Sequence, residues 1–264
     1  MRWSLDEDLA FYAAEGIDGV GVSLRKLEDA AGGVSGGVSA AAARVASAGL
    51  RVTNLIGLGP FELTDPNGWP RHRDRLLAAV DAAGIVRAGC LVVTTGPARQ
   101  MSWEEAADAL EAAIHPVLRA AAGVGVAIAL EHTNSLRADI GFVHTLRDAI
   151  DLATRLDIGV CMEINACWAE RDLAGTITRG VAANRIRLVQ VSDYVIGTLA
   201  TPDRAVPGDG DIPLDRILGQ VLAAGYDGPF DLELIGPRIE SEGYRPACRR
   251  AIDALDAMLV RLGG

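Results

Sequence analysis

The strongest constraint on the fold is a regular alternation of short apolar runs with helical segments along the whole chain. Seven runs have the length and apolar content of buried strands, and a segment with helical patterning follows each one. One further helix, predicted over Leu5 to Glu15 with Ser4 as its N-cap, precedes the first run. Such alternation implies a parallel sheet with crossover helices. The predicted strands are Gly19 to Ser23, Arg51 to Ile56, Cys90 to Thr95, Val124 to Asn134, Ile158 to Glu163, Ile186 to Asp193 and Phe230 to Leu234.

Seven strands are one fewer than an eight-fold barrel needs. We therefore predict an α/β fold, a (β/α)8 TIM barrel that lacks its first strand or has it truncated, because Met1 falls where the first helix is already starting. No change of composition marks a linker, so residues 1–264 are predicted to form a single TIM-barrel domain. An open doubly wound sheet is the alternative, although no Gly-rich phosphate loop follows an early strand. An exposed seam between two parallel edge strands favours aggregation, so we expect dimerisation or other cover there.

Two other segments carry local predictions. A capped helix is expected from Ser102 to about Ala121, and Pro116 should kink or split it. The segment from Gly57 to Trp69 contains Pro60 and Pro66, and it is long enough to be an active-site loop.

Charge and composition exclude several classes of protein. The formal net charge is -10 and the arginines are scattered, which argues against a nucleic-acid partner. The four cysteines lack paired metal-binding spacing, so reduced thiols in a cytosolic enzyme are expected. The N-terminus carries charge without an apolar signal region, and no apolar stretch reaches transmembrane length. We therefore expect a cytoplasmic protein without a membrane partner.

Polar side chains end four of the predicted strands. The stretch from Val124 to Asn134 is the clearest case, since its apolar run ends in Glu131 and His132. On a strand, Glu131 shares its face with Ala127 and Ala129, while His132 points the other way. In parallel barrels the carboxyl ends of the strands converge on one mouth, where acids are more often catalytic than structural. The four strand-ending residues are Glu131, Glu163, Gln190 and Glu233.

These four side chains form a candidate metal site. Three carboxylates cannot crowd together unless a cation compensates their charge. A set of carboxylate and amide oxygens suits a hard divalent ion such as Mn²⁺ or Mg²⁺. Scattered, solvated acids are the alternative interpretation.

Later segments extend this pattern and carry a family resemblance. The chain contains the loop Pro207-Gly208-Asp209-Gly210, then the turn Gly225-Tyr226-Asp227-Gly228 and the strand-ending pair Leu232-Glu233. Together with Leu130-Glu131 and Asn134, these resemble the xylose-isomerase-like TIM-barrel superfamily of sugar phosphate isomerases and epimerases. That superfamily also includes hydroxypyruvate isomerases, inosose dehydratases and 3-dehydroshikimate dehydratases. The resemblance covers the chain from Arg2 onward and is specific to the superfamily rather than to one member.

The resemblance implies a set of site residues. The four metal positions of the family fall on Glu131, Glu163, Gln190 and Glu233, with Glu163 replacing the usual Asp and Gln190 the usual His. Arg204 matches a substrate-binding Arg of the family. Three further residues are predicted to reach the substrate from nearby segments: Asn165, Trp168 and His144. His132 is expected in a supporting or packing role.

The function predicted from these residues is a divalent-metal-dependent isomerase or epimerase of a small hydroxy-carbonyl, sugar- or polyol-like compound. Glu131 and Glu233 would exchange the α-proton as acid and base, through an enediolate. Ala166 and Arg137 stand where sugar epimerases of the family carry a His and a Glu, which favours a dehydratase or lyase as the alternative. A non-catalytic barrel that binds a partner or another subunit is a third hypothesis, and a homo-oligomer is possible.

Overall fold

The strands form one parallel sheet whose order follows the chain. The structure, a computed structural model, describes residues 3–17, 19–32, 37–56 and 61–263. Seven strands run parallel in the order β1-β2-β3-β4-β5-β6-β7 and curve into a nearly closed barrel. Their bounds are β1 (Gly19–Ser23), β2 (Arg51–Ile56), β3 (Cys90–Val93), β4 (Ile128–Glu131), β5 (Gly159–Glu163), β6 (Ile186–Val191) and β7 (Phe230–Leu232). The prediction of a TIM barrel without a complete first strand is confirmed.

Helices follow the strands as predicted. They are α1 (Leu5–Glu15), α2 (Leu24–Ala30), α3 (Gly37–Ser47), α4 (Trp69–Val86), α5 (Trp103–Gly123), α6 (Leu146–Leu156), α7 (Ile164–Cys167), α8 (Leu173–Ala182), α9 (Leu214–Ala223), α10 (Pro237–Glu242) and α11 (Tyr244–Leu262). Reciprocal capping boxes start two of them, with Ser4 and Glu7 at α1 and Ser102 and Glu105 at α5. Within the described part of the chain, no helix combines the length and apolar character that a membrane span requires.

The strands are shorter than predicted at the mouth of the barrel. Strand β4 ends at Glu131 rather than Asn134, because the Thr133 N–H turns away from the sheet to the carbonyl of Val143, at 3.0 Å. The Asn134 side chain then caps a short 3-10 helix at residues 135–137. Of the predicted loop from Gly57 to Trp69, residues 57–60 lie outside the described residues, and Trp69 already belongs to α4.

Alternation along the strands separates two layers of the core. One phase of β3 to β6 fills the barrel interior with a small cluster of Cys90, Val92, Ala129, Cys161 and Leu188. The other phase, including Val160, Met162, Val189 and Val191, packs against the helices in the main core. The strand faces assigned from the sequence are therefore those in the structure. Because the inner cluster is small, polar side chains can occupy the barrel above it.

Helix α5 is continuous through Pro116, so the predicted split is wrong. Proline has no N–H to give to the carbonyl of Ala112 four residues earlier. Arg73 of α4 supplies the missing donors, with Nη2 2.9 Å from the Ala112 oxygen and Nε 2.7 Å from that of Ala113. A side chain from the neighbouring helix thus replaces the hydrogen bond that proline removes.

A slot separates the two edge strands of the barrel. Among the described residues, no strand lies between β1 and β7. The slot opens into a cavity of about 1080 Å³ whose walls come from β1, β7, α1 and α11. Asp231 and Glu233 line this cavity. The carboxyl end of the barrel is therefore accessible from the side as well as from the mouth.

Candidate functional site

Three carboxylates meet at the carboxyl end of the barrel. Glu131 ends β4, Glu163 ends β5 and Glu233 directly follows β7. One oxygen of each lies within 4.8 Å of the others. Glu163 is buried, with 1% of its surface exposed, whereas Glu131 and Glu233 are partly buried. The parallel register brings these strand ends to one side of the barrel, as the alternation pattern predicts.

Arg204 is inserted among these carboxylates. Its Nε and Nη2 donate to Glu233 Oε2 at 3.0 and 2.7 Å, and Nη2 also donates to Glu163 Oε2 at 3.1 Å. Its Nη1 donates to the side-chain oxygen of Asn165. If all three were ionised, their three negative charges would face the single positive charge of the guanidinium.

Glu163 connects the site to the following helix. Its Oε1 accepts a hydrogen bond from the Asn165 N–H at 2.8 Å, so the side chain also caps α7. Its own N–H donates to His132 Nε2 at 3.3 Å. His132 is fully buried, and burial, reinforced by the charge of His144, lowers its pKa to about 3. It therefore supports the end of β5 as a neutral acceptor.

The protonation equilibria of the carboxylates are pushed apart. Burial, together with the negative charge of Glu233, raises the pKa of Glu131 to about 8 although Arg204 opposes the change. Burial also acts on Glu233, but the charge of Arg204 and the hydrogen bonds from Glu163 and Arg204 outweigh it, so the pKa of Glu233 is lowered. Burial raises the pKa of Glu163. Carboxyl groups with separated pKa values suit paired acid and base chemistry.

Gln190 lies between the carboxylates and a polar layer beneath them. It pairs in register with Glu163 on one side and Asp231 on the other. Its Oε1 accepts a hydrogen bond from the Cys161 thiol at 3.2 Å. Burial raises the pKa of Asp231 to about 6, while the nearby polar side chains of Asn54 and Gln190 limit that rise. Asp231 thus lies on the same face of the sheet as Glu233, two residues before it along the chain.

The donor set fits a hard divalent cation. Three carboxylate oxygens already lie within 4.8 Å of one another, and Gln190 offers a neutral amide oxygen on the same face. With all three carboxylates ionised and Arg204 positive, the cluster has a net charge of −2, which matches the charge of such an ion. The residues that would hold it are Glu131, Glu163, Gln190 and Glu233.

Two of the predicted substrate-binding residues lie apart from this contact network. His144 Nδ1 donates to the carbonyl of Thr133 at 3.0 Å, and its ring lines a separate cavity of about 400 Å³ with Trp103 and Phe142. Helix α6 begins after it, at Leu146, because Thr145 is the N-cap. Trp168 ends α7 and packs against the main core.

Asp193, just beyond β6, is a site residue that the sequence patterns did not single out. Its carbonyl accepts from the Asn165 side chain at 3.3 Å, and its carboxylate is 1% exposed. An acid at the end of an apolar strand was the available signal. Its partners lie 15 to 19 residues further along the chain, beyond the range of local patterns.

Comparison with known proteins identifies the fold independently. A family model described as xylose isomerase-like TIM barrel matches residues 9–258. None of the curated proteins matches the chain. Several solved structures do, and all three described below share less than 25% of their residues with this chain, so they show the fold alone.

A protein from Sinorhizobium meliloti 1021, SMc04130, superposes with a TM-score of 0.85 at 24% identity, over 97% of this chain and 94% of that one. The IolI protein with a bound zinc atom has a TM-score of 0.81 at 17% identity, over 98% and 94% of the two chains. The 3-keto-D-glucoside 4-epimerase YcjR from E. coli has a TM-score of 0.73 at 18% identity, over 96% and 97%.

Proposed function

The chain belongs to the xylose isomerase-like TIM-barrel family, and from this premise we propose that it is a divalent-metal-dependent isomerase or epimerase of a small hydroxy-carbonyl compound. The observation that carries the proposal is the convergence of three carboxylate oxygens within 4.8 Å at the strand ends. The zinc of IolI supports a divalent ion, and the epimerase YcjR supports a sugar-like substrate. Mn²⁺ or Mg²⁺ matches the all-oxygen donor set best.

A bound divalent ion would polarise the substrate carbonyl and offset the negative charge that develops on the enediolate. The protein contributes the proton transfer. Glu233, with its lowered pKa, is ionised and takes the proton from the carbon next to the carbonyl, and the C–H electron pair moves into the enediolate. Glu131, whose pKa is raised in the metal-free protein, would be the acid partner that returns a proton to the same carbon or its neighbour.

Arg204 and Asn165 orient the substrate in this proposal. The guanidinium has five N–H groups, of which three donate to Glu163 and Glu233 and one to Asn165, so the remaining Nη1 N–H can hold a hydroxyl or carboxylate of the substrate. Its position between Glu163 and Glu233 supports a role beside the reacting carbon. Asn165 fixes the outer edge of the guanidinium.

The decisive experiment combines two substitutions with an NMR assay in D₂O. Metal-loaded protein is incubated with a panel of hydroxy-carbonyl compounds, and deuterium incorporation is followed. Glu131→Gln and Glu233→Gln should each reduce turnover by about 10²- to 10⁴-fold, the usual contribution of a general acid or base. The exposed Glu104→Gln, which makes the same chemical change on α5, should leave turnover unaltered. Full activity in either site variant would refute the assignment.

A dehydratase or lyase is the second candidate, favoured by one contact. Arg137, which stands where sugar epimerases of the family carry a Glu, pairs with Asp139 at 3.0 and 3.2 Å rather than with the carboxylate cluster. Elimination uses the same base but expels the β-hydroxyl as water. The D₂O assay separates the two reactions, since elimination yields a product that has lost water. A protein that binds no divalent ion would instead support the non-catalytic barrel.

A further inference from the structure

The Gly-rich loop after β6 is folded around a carboxylate of the protein itself. Asp193 Oδ1 accepts the N–H groups of Tyr194 and Ile212 at 2.8 and 3.0 Å. Its Oδ2 accepts those of Gly208 and Gly210 at 2.9 and 3.0 Å. Four backbone donors therefore converge on one side chain that is 1% exposed. Convergent backbone N–H groups of this kind form an anion site, and here the anion is built in.

Gly210 is required by the closeness of this contact. A Cβ on Gly210 would lie 2.4 Å from Asp193 Oδ1 and 2.6 Å from the carbonyl oxygen of Tyr194. Any side chain there would push the carboxylate out of its place. The Gly-x-Gly spacing of the loop thus follows from the bond to Asp193 rather than from binding a substrate phosphate.

The backbone of Asp193 holds both Asn165 and the segment that carries Arg204. Asp193 exchanges two hydrogen bonds with Ala205, each 2.9 Å long, and Ala205 directly follows Arg204. The Asp193 carbonyl also accepts from Asn165 Nδ2 at 3.3 Å, and Asn165 in turn accepts from Arg204. The Arg204 N–H is held separately by the carbonyl of Ile235, at 2.9 Å.

We propose that Asp193 is the positioning residue of Arg204: by closing residues 194–212 onto its carboxylate and pairing with Ala205, it holds the guanidinium against Glu163 and Glu233. This inference rests on the proposed function for its catalytic meaning. Arg204 has a long, flexible side chain whose donors act on substrate only if its backbone is fixed. Asp193 touches neither substrate nor cation and acts entirely through Arg204 and Asn165.

The first test needs neither metal nor substrate. Arg204 is 9% exposed, so phenylglyoxal should modify it slowly, and peptide mass spectrometry measures its rate. In Asp193→Asn the amide turns a donor toward backbone donors, and we expect Arg204 to react about tenfold faster. Arg73, half-buried on α4, serves as the internal control and should keep its rate. Asp211→Asn, which changes an acid whose side chain accepts the Ile196 N–H, should leave Arg204 protected.

The second test asks whether the effect passes through Arg204. With a substrate found in the D₂O assay, Asp193→Asn should raise KM or lower kcat by about tenfold, the usual size of an outer-contact effect. In the Arg204→Lys background the same change should have less than about a twofold effect. An equal loss in both backgrounds would overturn the proposal.

The outcomes also separate this inference from the proposed function. If no metal binding or turnover is found, the proposed function fails, while Arg204 labelling still decides the role of Asp193. If the Asp193→Asn variant folds and its Arg204 is labelled at the wild-type rate, the inference is overturned. If that variant does not fold, Gly210→Ala replaces it, since it keeps the acid but displaces its carboxylate, and unchanged labelling there would have the same meaning.

Discussion

At the scale of single residues, the site contains more acidic groups than basic ones. Glu131, Glu163 and Glu233 share one guanidinium, Arg204, which bonds to the second and third but not the first. Glu131 therefore bears most of the cost, and its pKa rises to about 8 through burial and the charge of Glu233. Its protonation reports whether a cation has joined the cluster.

This imbalance predicts how stability depends on pH without metal. In the unfolded chain the pKa of Glu131 is 4.5, whereas in the folded protein it is about 8. Between these pH values the folded protein keeps a proton that the unfolded chain has released, so stability should fall as pH rises from 4.5 to about 8. Chelator-treated Glu131→Gln should match wild type at pH 4, below the pKa of the unfolded chain. At pH 8 it should be more stable by at least about 1 kcal/mol, since one pKa unit is worth about 1.4 kcal/mol.

Urea unfolding at both pH values measures this difference, and added Mn²⁺ should remove the loss in wild type. If the stability of wild type declined no more than that of Glu131→Gln between these pH values, the raised pKa of Glu131 would be contradicted.

The residues that could be predicted from sequence are those placed by strand alternation. Glu131, Glu163 and Glu233 follow apolar strands with the correct phase, so their meeting could be foreseen. The partners of Arg204 could not, because they depend on how residues 194–212 fold back over 15 or more residues. Asp193 escaped notice for the same reason, since an acid after a strand carries no local sign of what it will bind.

At the scale of elements, α4 and α5 are joined by hydrogen bonds from an arginine side chain to helix carbonyls as well as by packing. The bond from Arg73 to the carbonyl of Ala112 satisfies the group that Pro116 leaves unpaired within α5, and a second bond reaches the carbonyl of Ala113. Such a contact should be worth more than an ordinary surface hydrogen bond, because removing it leaves a helix carbonyl without a donor.

A double-mutant cycle tests this contact. Arg73→Ala should destabilise the protein by about 1–3 kcal/mol. In the Pro116→Ala background the cost should shrink, since the N–H of an alanine restores the bond to Ala112. Arg71→Ala, an exposed change on the same helix, should cost less than about 0.5 kcal/mol. Urea unfolding of the four proteins and the control measures each term, and equal costs in both backgrounds would exclude this role of the contact.

Local signals determined which element boundaries were predictable. Helix α1 begins and ends where Ser4, its acidic first turn and Gly16 place it. The end of β4 was misplaced because Thr133 bonds to Val143, a partner outside the strand. The short helices α2, α7 and α10 were missed, since each has seven residues or fewer and too few turns to show a helical pattern in the sequence.

At the scale of the whole molecule, the slot between β1 and β7 is the least satisfied feature. Both edge strands present backbone groups that have no strand partner among the described residues. The cavity behind them is lined by Trp3 and Tyr12 of the N-terminal segment and by Leu255 of α11. Edges of this kind recruit another strand or a covering surface.

We therefore expect the 264-residue chain to associate through this slot or to cover it. Light scattering after size-exclusion chromatography gives the mass, and hydrogen exchange gives the protection of β1 and β7. Association should slow exchange at Val20 and Val22 with increasing protein concentration. A monodisperse monomer whose edge amides exchange freely at every concentration would contradict this expectation.

Because of the slot, the sheet has two ends. A closed barrel is a ring without ends, but here the hydrogen-bond ladder begins at β1 and ends at β7, and ladders fray from their ends. Strand β7 is only three residues long, and Glu233 directly follows it. Arg204 forms ion pairs with Glu233 and with Glu163 on the interior strand β5. It therefore ties the last strand of the sheet to an interior strand. The contact that arranges the chemistry also limits the fraying of the sheet.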